Sequence, residues 1–234
     1  MGAKPFELNT RVALCGLLLE GYGHQLVDID RVVARVVAQV RVAVGERLGG
    51  WCFELNGAFA ALLEGLRFSV KRLGAQVLRG PHPSGVADHL TLQIQLNRPY
   101  LVDVGFGDSF IRPLQLDGEG PQAGGVGDFG FSMDGTNTTL VKYASDGHPE
   151  PQYRFRPRRH LTSDFDGSSL RLQAEPGLQR TEAPFATRLL DGGPDRVTLL
   201  GDRLKFRRDG TWTERPVADA DWEATLDRWF GMSP

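Results

Sequence analysis

The spacing of apolar residues changes along the chain, and the change divides it into regions. Residues 10 to 20, including Val12-Ala13-Leu14-Cys15-Gly16-Leu17-Leu18-Leu19, read as a short helix ended by Gly21-Tyr22-Gly23. A second helix starts from Asp28 or Asp30, either of which suits a cap. It carries Val32, Val33, Val36, Val37, Val40 and Val44 on one side and Arg31, Arg35, Gln39 and Arg41 on the other. A third opens near Cys52, where Leu55, Phe59, Leu62, Leu63 and Leu66 keep the spacing of one buried face. Beyond Leu66 the period falls to two, and Phe68, Val70 and Arg72 alternate with Ser69, Lys71 and Leu73 as an imperfect strand. Residues 79 to 87, with Gly80-Pro81-His82-Pro83-Ser84-Gly85, form a loop by composition.

The clearest hairpin follows. His89-Leu90-Thr91-Leu92-Gln93-Ile94-Gln95-Leu96 alternates strictly, Asn97-Arg98-Pro99 supplies the turn, and Tyr100-Leu101-Val102-Asp103-Val104 returns. If even-numbered residues pair with even-numbered ones, Val102 and Val104 join the apolar face and Asp103 joins His89 on the other. A turn centred on Arg98 leaves those two about four positions out of step, roughly 13 Å. Contact then requires a turn nearer Leu96 or a bulge.

Residues 115 to 137 are dense in glycine and read as an irregular connection. Short strands are expected at Thr138 to Tyr143, Gln152 to Phe155, Ser168 to Leu172, Arg196 to Leu200, Arg203 to Arg207 and Thr211 to Glu214. A helix from about Asp221 closes the chain, with Trp222, Leu226 and Trp229 as a packing stripe.

Composition adds boundaries. With 234 residues, 41% hydrophobic and 24% charged, the chain has enough material for a sizeable core. A formal net charge of -2 offers no global field for nucleic acid or an anionic membrane, so neither partner is expected. No apolar run approaches the roughly 20 residues of a membrane-spanning helix, and the first residues lack a secretory pattern. The two cysteines, Cys15 and Cys52, form no CxxC pair and sit in no Cys/His cluster, so no metal site is expected and a cytoplasmic setting is.

The chemistry gathers around Gly49-Gly50-Trp51-Cys52-Phe53-Glu54-Leu55-Asn56. Cys52 is either a buried small hydrophobe or a nucleophile in the first turn of a helix, where unpaired N–H groups and the macrodipole favour a thiolate. A thiol nucleophile needs a base, and the base a group that fixes its tautomer. His89 at a strand start and Asp103 on the returning strand supply both types, in the order Cys, His, Asp. Gly105-Phe106-Gly107, just after the aspartate, offers backbone N–H groups to a ligand.

These residues resemble a family. Leu48-Gly49-Gly50-Trp51-Cys52-Phe53-Glu54-Leu55-Asn56-Gly57 is similar to the RGGxCxExN nucleophile motif of arylamine N-acetyltransferases, and Asp88-His89-Leu90 to the strand bearing their histidine. Leu101-Val102-Asp103-Val104-Gly105-Phe106-Gly107 resembles their LVDVGFG segment. Tyr153-Arg154-Phe155, Asp164-Phe165-Asp166, Ala183-Pro184-Phe185 and Arg196-Val197-Thr198-Leu199 keep the order of their third domain. The resemblance implies an α+β fold with a cysteine-protease-like Cys-His-Asp core. Its parts are a helical domain over residues 1–66 that carries the nucleophile, a β-barrel-like domain over 67–150, and a C-terminal α/β lid over 151–234.

The resemblance also implies an acyltransferase with Cys52, His89 and Asp103 as its triad. An acetyl group passes from acetyl-CoA, a co-substrate rather than a bound cofactor, to an arylamine or arylhydrazine by way of a Cys52 thioester. Gly105, Phe106 and Gly107 are its expected coenzyme contacts. Three departures stand out. Leu48 replaces the family's arginine, which leaves Glu54 in need of another partner. Asp108 follows the GFG segment, near the presumed path of the coenzyme phosphates, where a carboxylate repels them. The segment before the first helix is shorter than usual. The last two favour an alternative, an amide synthase of natural-product assembly that takes a larger acyl thioester, from coenzyme A or an acyl carrier protein. A hydrolase sharing the triad and a non-catalytic homologue are the remaining readings.

Overall fold

The computed structural model describes residues 49–79, 87–175, 185–190 and 193–232. Both helices expected before Cys52, and most of the loop at 79–87, lie outside these residues.

Helix α1 (Cys52–Gly65) starts one residue after Trp51, whose extended backbone leaves its N–H pointing at the Glu54 carboxylate, 2.9 Å away. Glu54 thus has a partner within its own turn, where a carboxylate also complements the helix dipole. Phe59, Leu62 and Leu63 are fully buried, each worth about 1.5–3 kcal/mol relative to exposure. Arg67, at φ 69°, ends the helix in a left-handed turn, and Phe68 N–H reaches back to Leu63 O at 2.9 Å.

The chain then builds an eight-stranded antiparallel sheet. Its strands are β1 (Ser69–Val77), β2 (His89–Gln95), β3 (Pro99–Val102), β4 (Leu114–Gln115), β5 (Gln122–Ala123), β6 (Asp128–Asp134), β7 (Asn137–Tyr143) and β8 (Pro149–Phe155). Their order is β4-β3-β2-β1-β8-β7-β6-β5. The sheet curls until its edge strands β4 and β5 meet. There the Gln122 amide imitates a strand, accepting from Gln115 N–H at 2.7 Å and donating to Gln115 O at 2.8 Å. The result is barrel-like. One face packs Leu90, Leu92, Ile94 and Val102 against α1, and the other packs Leu73, Leu101, Phe129, Leu140 and Tyr153 inside the curl.

Two expectations change here. The glycine-dense stretch contains β6, where Phe129, Phe131 and Met133 alternate along the strand and Gly130 leaves room for the Gly120 carbonyl, 3.1 Å from where a Cβ would sit. Ser168 to Leu172 lies in a helix, α2 (Asp166–Ala174), with Leu172 as its buried residue. Phe165 just before it packs on Phe53 of α1, ring centroids 5.6 Å apart.

The last part is a four-stranded antiparallel sheet of β9 (Phe185–Leu189), β10 (Arg196–Leu200), β11 (Arg203–Arg208) and β12 (Thr211–Pro216), in the order β12-β11-β10-β9. Helix α3 (Trp222–Phe230) covers it with Leu226 and Phe230 and ends at Gly231 in the left-handed region. The mixture of a helix-backed barrel and a separate small sheet is an α+β architecture.

Candidate active site

Three element ends converge. Cys52 is the first residue of α1, His89 the first of β2, and Asp103 the first residue past β3. The hairpin register decides whether they meet. Leu92 pairs with Val102 and Ile94 with Tyr100, so the turn centres on Asn97, and Leu96 N–H bonds Arg98 O at 3.0 Å. Even-numbered residues do pair with even-numbered ones. Asp103 therefore falls opposite Thr91, two residues from His89 on the same face, a diagonal within reach of an imidazole. No bulge is needed. His89 Nε2 lies 2.6 Å from Asp103 Oδ2.

With Nε2 committed to the carboxylate, Nδ1 is the nitrogen left for the thiol, and the Cys52 sulfur is near enough to favour a charge on the ring. The Cys52 sulfur also lies 3.9 Å from the Asp88 carbonyl. Gly105 makes the approach of strand and helix possible, since a Cβ there would come within 2.7 Å of Cys52 Cα. Burial works against a charge on the His89 ring. The Asp103 carboxylate and the Cys52 sulfur outweigh it, and the imidazole pKa is pushed up to about 10.

Asp103 is buried yet well supplied with donors. Burial alone raises a carboxyl pKa, but His89, Asn56 and the Gly105 N–H hold this one below the usual range. Oδ1 receives Asn56 Nδ2 at 2.8 Å, Gly105 N–H at 2.9 Å and Phe106 N–H at 3.1 Å. Oδ2 receives the Tyr153 hydroxyl at 3.1 Å. Burial and the neighbouring carboxylate push the Tyr153 phenol well above its ordinary pKa, so it stays neutral and donates. Asn56 is fully buried and spans the junction, its Nδ2 also donating to Leu90 O at 2.7 Å and its Oδ1 accepting from Val104 N–H at 3.0 Å.

The segment Gly105-Phe106-Gly107 is thus first a holder of the carboxylate, with two of its N–H groups turned inward. The Phe106 ring packs edge-on to His89 at 5.0 Å and to Tyr153 at 4.8 Å. Asp108 is no free anion. Its Oδ1 is 2.6 Å from Arg207 Nη1 and 3.6 Å from Arg196 Nε, so the carboxylate expected to repel phosphates is paired with the small sheet. Burial, helped by Arg207 and opposed by Asp108, lowers the Arg196 pKa to about 10. A cavity beside this junction is lined by Asp103, Phe106, Gly107, Ser109, Leu189 and Arg196 among others. Ser109 Oγ and Arg196 Nε are buried with no hydrogen-bond partner.

Asn56 and Tyr153 lie in motifs quoted from the sequence, but neither was given a role at the site. Asn56 carried a signal, because a lone amide one turn after Cys52 on an apolar helix requires a buried partner. Tyr153 stands in a quoted motif, but nothing there points to Asp103, 50 residues away. Among the described residues no group of His, Cys, Asp and Glu is placed to hold a metal ion, and no helix is long and apolar enough to cross a membrane.

Known proteins are similar to this chain in sequence. A sequence model of the N-acetyltransferase family matches residues 27–233. A pineal gland isozyme of arylamine N-acetyltransferase from Gallus gallus is 34% identical over 261 residues, covering 99% of this chain and 83% of the relative. The chain belongs to the arylamine N-acetyltransferase family. The Mycolicibacterium smegmatis member is 28% identical over 174 residues, 71% of this chain and 62% of the relative. The chain spans 43% to 62% of the length of the three bacterial relatives that it matches. The fold agrees with a family structure, that of the Mycobacterium marinum enzyme in complex with CoA, at a TM-score of 0.75 and 24% identity over 87% of this chain and 79% of that one.

Proposed function

We propose that this chain transfers an acetyl group from acetyl-CoA to an aromatic amine or hydrazine through a thioester on Cys52. The observation that carries the reading is a single imidazole held at 2.6 Å by a buried carboxylate and set beside a thiol at a helix start. An imidazole with so high a proton affinity takes the thiol proton, and the thiolate attacks the donor's carbonyl carbon. Backbone N–H groups of the first turn of α1 stabilise the oxyanion, and the C–S bond to coenzyme A breaks as its sulfur leaves with the proton from His89, which returns to the neutral form. The amine nitrogen then attacks the Cys52 thioester and loses its proton to His89, which Asp103 keeps oriented. An aromatic amine suits this step because its nitrogen is unprotonated near neutral pH.

The family supports the donor, and a relative has been solved with CoA. In this chain the donor arm runs along Phe106 and Gly107, above the cavity they line with Ser109 and Arg196. Ionic pairing of Asp108 removes the repulsion that favoured a different donor, so an acyl carrier protein is not needed to explain that residue. A three-part division, with its second boundary moved from residue 150 to beyond β8, and a cytoplasmic setting complete this reading.

Intact-mass spectrometry after mixing with acetyl-CoA tests it. An acetyl adduct should form, vanish on addition of an aromatic amine, and be absent from Cys52→Ala. Amine acetylation that persists in Cys52→Ala would refute the mechanism.

A further inference from the structure

Two buried donors at the junction of the barrel and the small sheet lack a hydrogen-bond partner. Ser109 and Arg196 are 3% and 2% exposed, and neither Ser109 Oγ nor Arg196 Nε makes a hydrogen bond. Both residues line one cavity, in which about 20 Å³ is open to the centre of a water-sized group, enough for one or two such groups. A buried donor without an acceptor is destabilising, and two of them on one cavity mark a place for a shared one.

Charge decides what that acceptor is. Arg196 and Arg207 share the single carboxylate of Asp108, and Arg196 Nε stands 3.6 Å from it, too far for a hydrogen bond. Two guanidinium groups against one carboxylate leave one buried positive charge in excess. Burial lowers the Arg196 pKa only to about 10, so the group is charged at neutral pH. The other carboxylate on the cavity, Asp103, is balanced by His89 and already receives hydrogen bonds from Asn56, Tyr153 and two backbone N–H groups. Val104, Phe110 and Leu189 add apolar wall. A water in this space brings two protons of its own and neutralises nothing, whereas a monovalent anion accepts from both donors and balances the charge. The phosphates of coenzyme A are set off from the thioester by the long pantetheine arm, far from a cavity bounded by Asp103.

We propose that this cavity binds a small monovalent inorganic anion, of which chloride is the simplest, between Arg196 Nε and Ser109 Oγ. Bound there, the ion ties β10 to the segment that follows Asp103 and stabilises the fold. The inference goes beyond the transferase reading and does not rest on it.

Thermal unfolding of the full chain tests it, with chloride exchanged at constant ionic strength for gluconate, a far bulkier anion. Chloride should raise the Tm of the wild type saturably, by about 3 °C or more once it exceeds about ten times its dissociation constant. Ser109→Ala removes a hydroxyl that has no partner, so it should leave the Tm in gluconate unchanged or higher and lose most of the chloride effect. In crystals soaked in bromide, an anomalous-scattering peak should lie between Arg196 and Ser109. Equal Tm values in chloride and gluconate would mean that the cavity holds water, and a bromide peak without a chloride effect would mean binding at crystal concentration only. A chloride effect of the same size in Ser109→Ala would place the ion elsewhere. Each of these results overturns the proposal. None of the measurements uses acetyl-enzyme, on which the transferase reading stands or falls separately.

Discussion

Asp103 shows how one residue couples stability to chemistry. Its two oxygens are held from α1, from the segment after β3 and from β8, so the carboxylate is fixed before it orients His89. Because the His89 pKa rises from 6.5 to about 10 on folding, the native state keeps a proton that the unfolded chain releases. The pair's contribution is complete below pH 6.5 and is lost as pH climbs through about 10. At the acid end the Asp103 pKa is lowered, so its share persists above the ordinary carboxylate range and goes only when pH falls through the lowered value. Asp103→Asn should flatten the alkaline slope of stability between pH 6.5 and 10, measured by urea unfolding at several pH values. The same substitution should lower kcat by about 10³-fold or more, since the imidazole loses its orienting anion.

At the level of elements, a side chain completes the barrel's closure. The Gln122 amide fills both backbone positions of Gln115, and the N–H groups of Ile111 and Arg112 continue the seam to Gly124 O at 2.8 and 3.2 Å. Gln122→Ala should cost roughly 1–3 kcal/mol in urea unfolding and speed amide exchange at Gln115, with β1 and β2 protected as before. Gln122→Glu, which retains an acceptor for Gln115 N–H and loses the donor to its carbonyl, should fall between. No pattern of apolar spacing encodes such a contact, and it was not legible in the sequence. The two faces of the β2–β3 hairpin were, because Leu90, Leu92 and Ile94 allow one orientation only. The offset along it was not, since Asn97-Arg98-Pro99 permits turns centred on either of two residues. The strand expected at Ser168 to Leu172 failed for a related reason. Five residues with two leucines in alternation also suit one helical turn, and the packing of Phe165 on Phe53 settles which forms. The convergence of Cys52, His89 and Asp103 was legible because each sits in a motif at an element end, while the Asn56 and Tyr153 support needed the fold to bring its partners together.

For the molecule as a whole, the contact of consequence joins the small sheet to the segment that holds Asp103. Asp108 lies five residues beyond the Asp103 carboxylate and pairs with Arg207 of β11 and Arg196 of β10, both buried. Arg207 Nη2 also donates to Pro194 O at 2.9 Å, and Arg196 Nη1 to Thr187 Oγ1 at 3.1 Å, so the arginines are rooted in their own sheet. Two guanidinium groups share one carboxylate, and removing it leaves both buried without an anion. Asp108→Ala should therefore destabilise by about 3–5 kcal/mol, the range for breaking one side of a buried pair. Replacing the charge on both sides should cost less than that loss added to the loss from Arg207 alone, because Asp108→Ala with Arg207→Met removes one of the two uncompensated cations. Thermal unfolding of the two single variants and the double variant measures the coupling. A functional readout separates an architectural tie from a catalytic one. If the pair works by holding the 104–110 segment, Asp108→Ala should slow acetyl-enzyme formation from acetyl-CoA and from 4-nitrophenyl acetate alike. Asp108→Asn, which keeps the size and one acceptor, should restore more of the rate than of the stability.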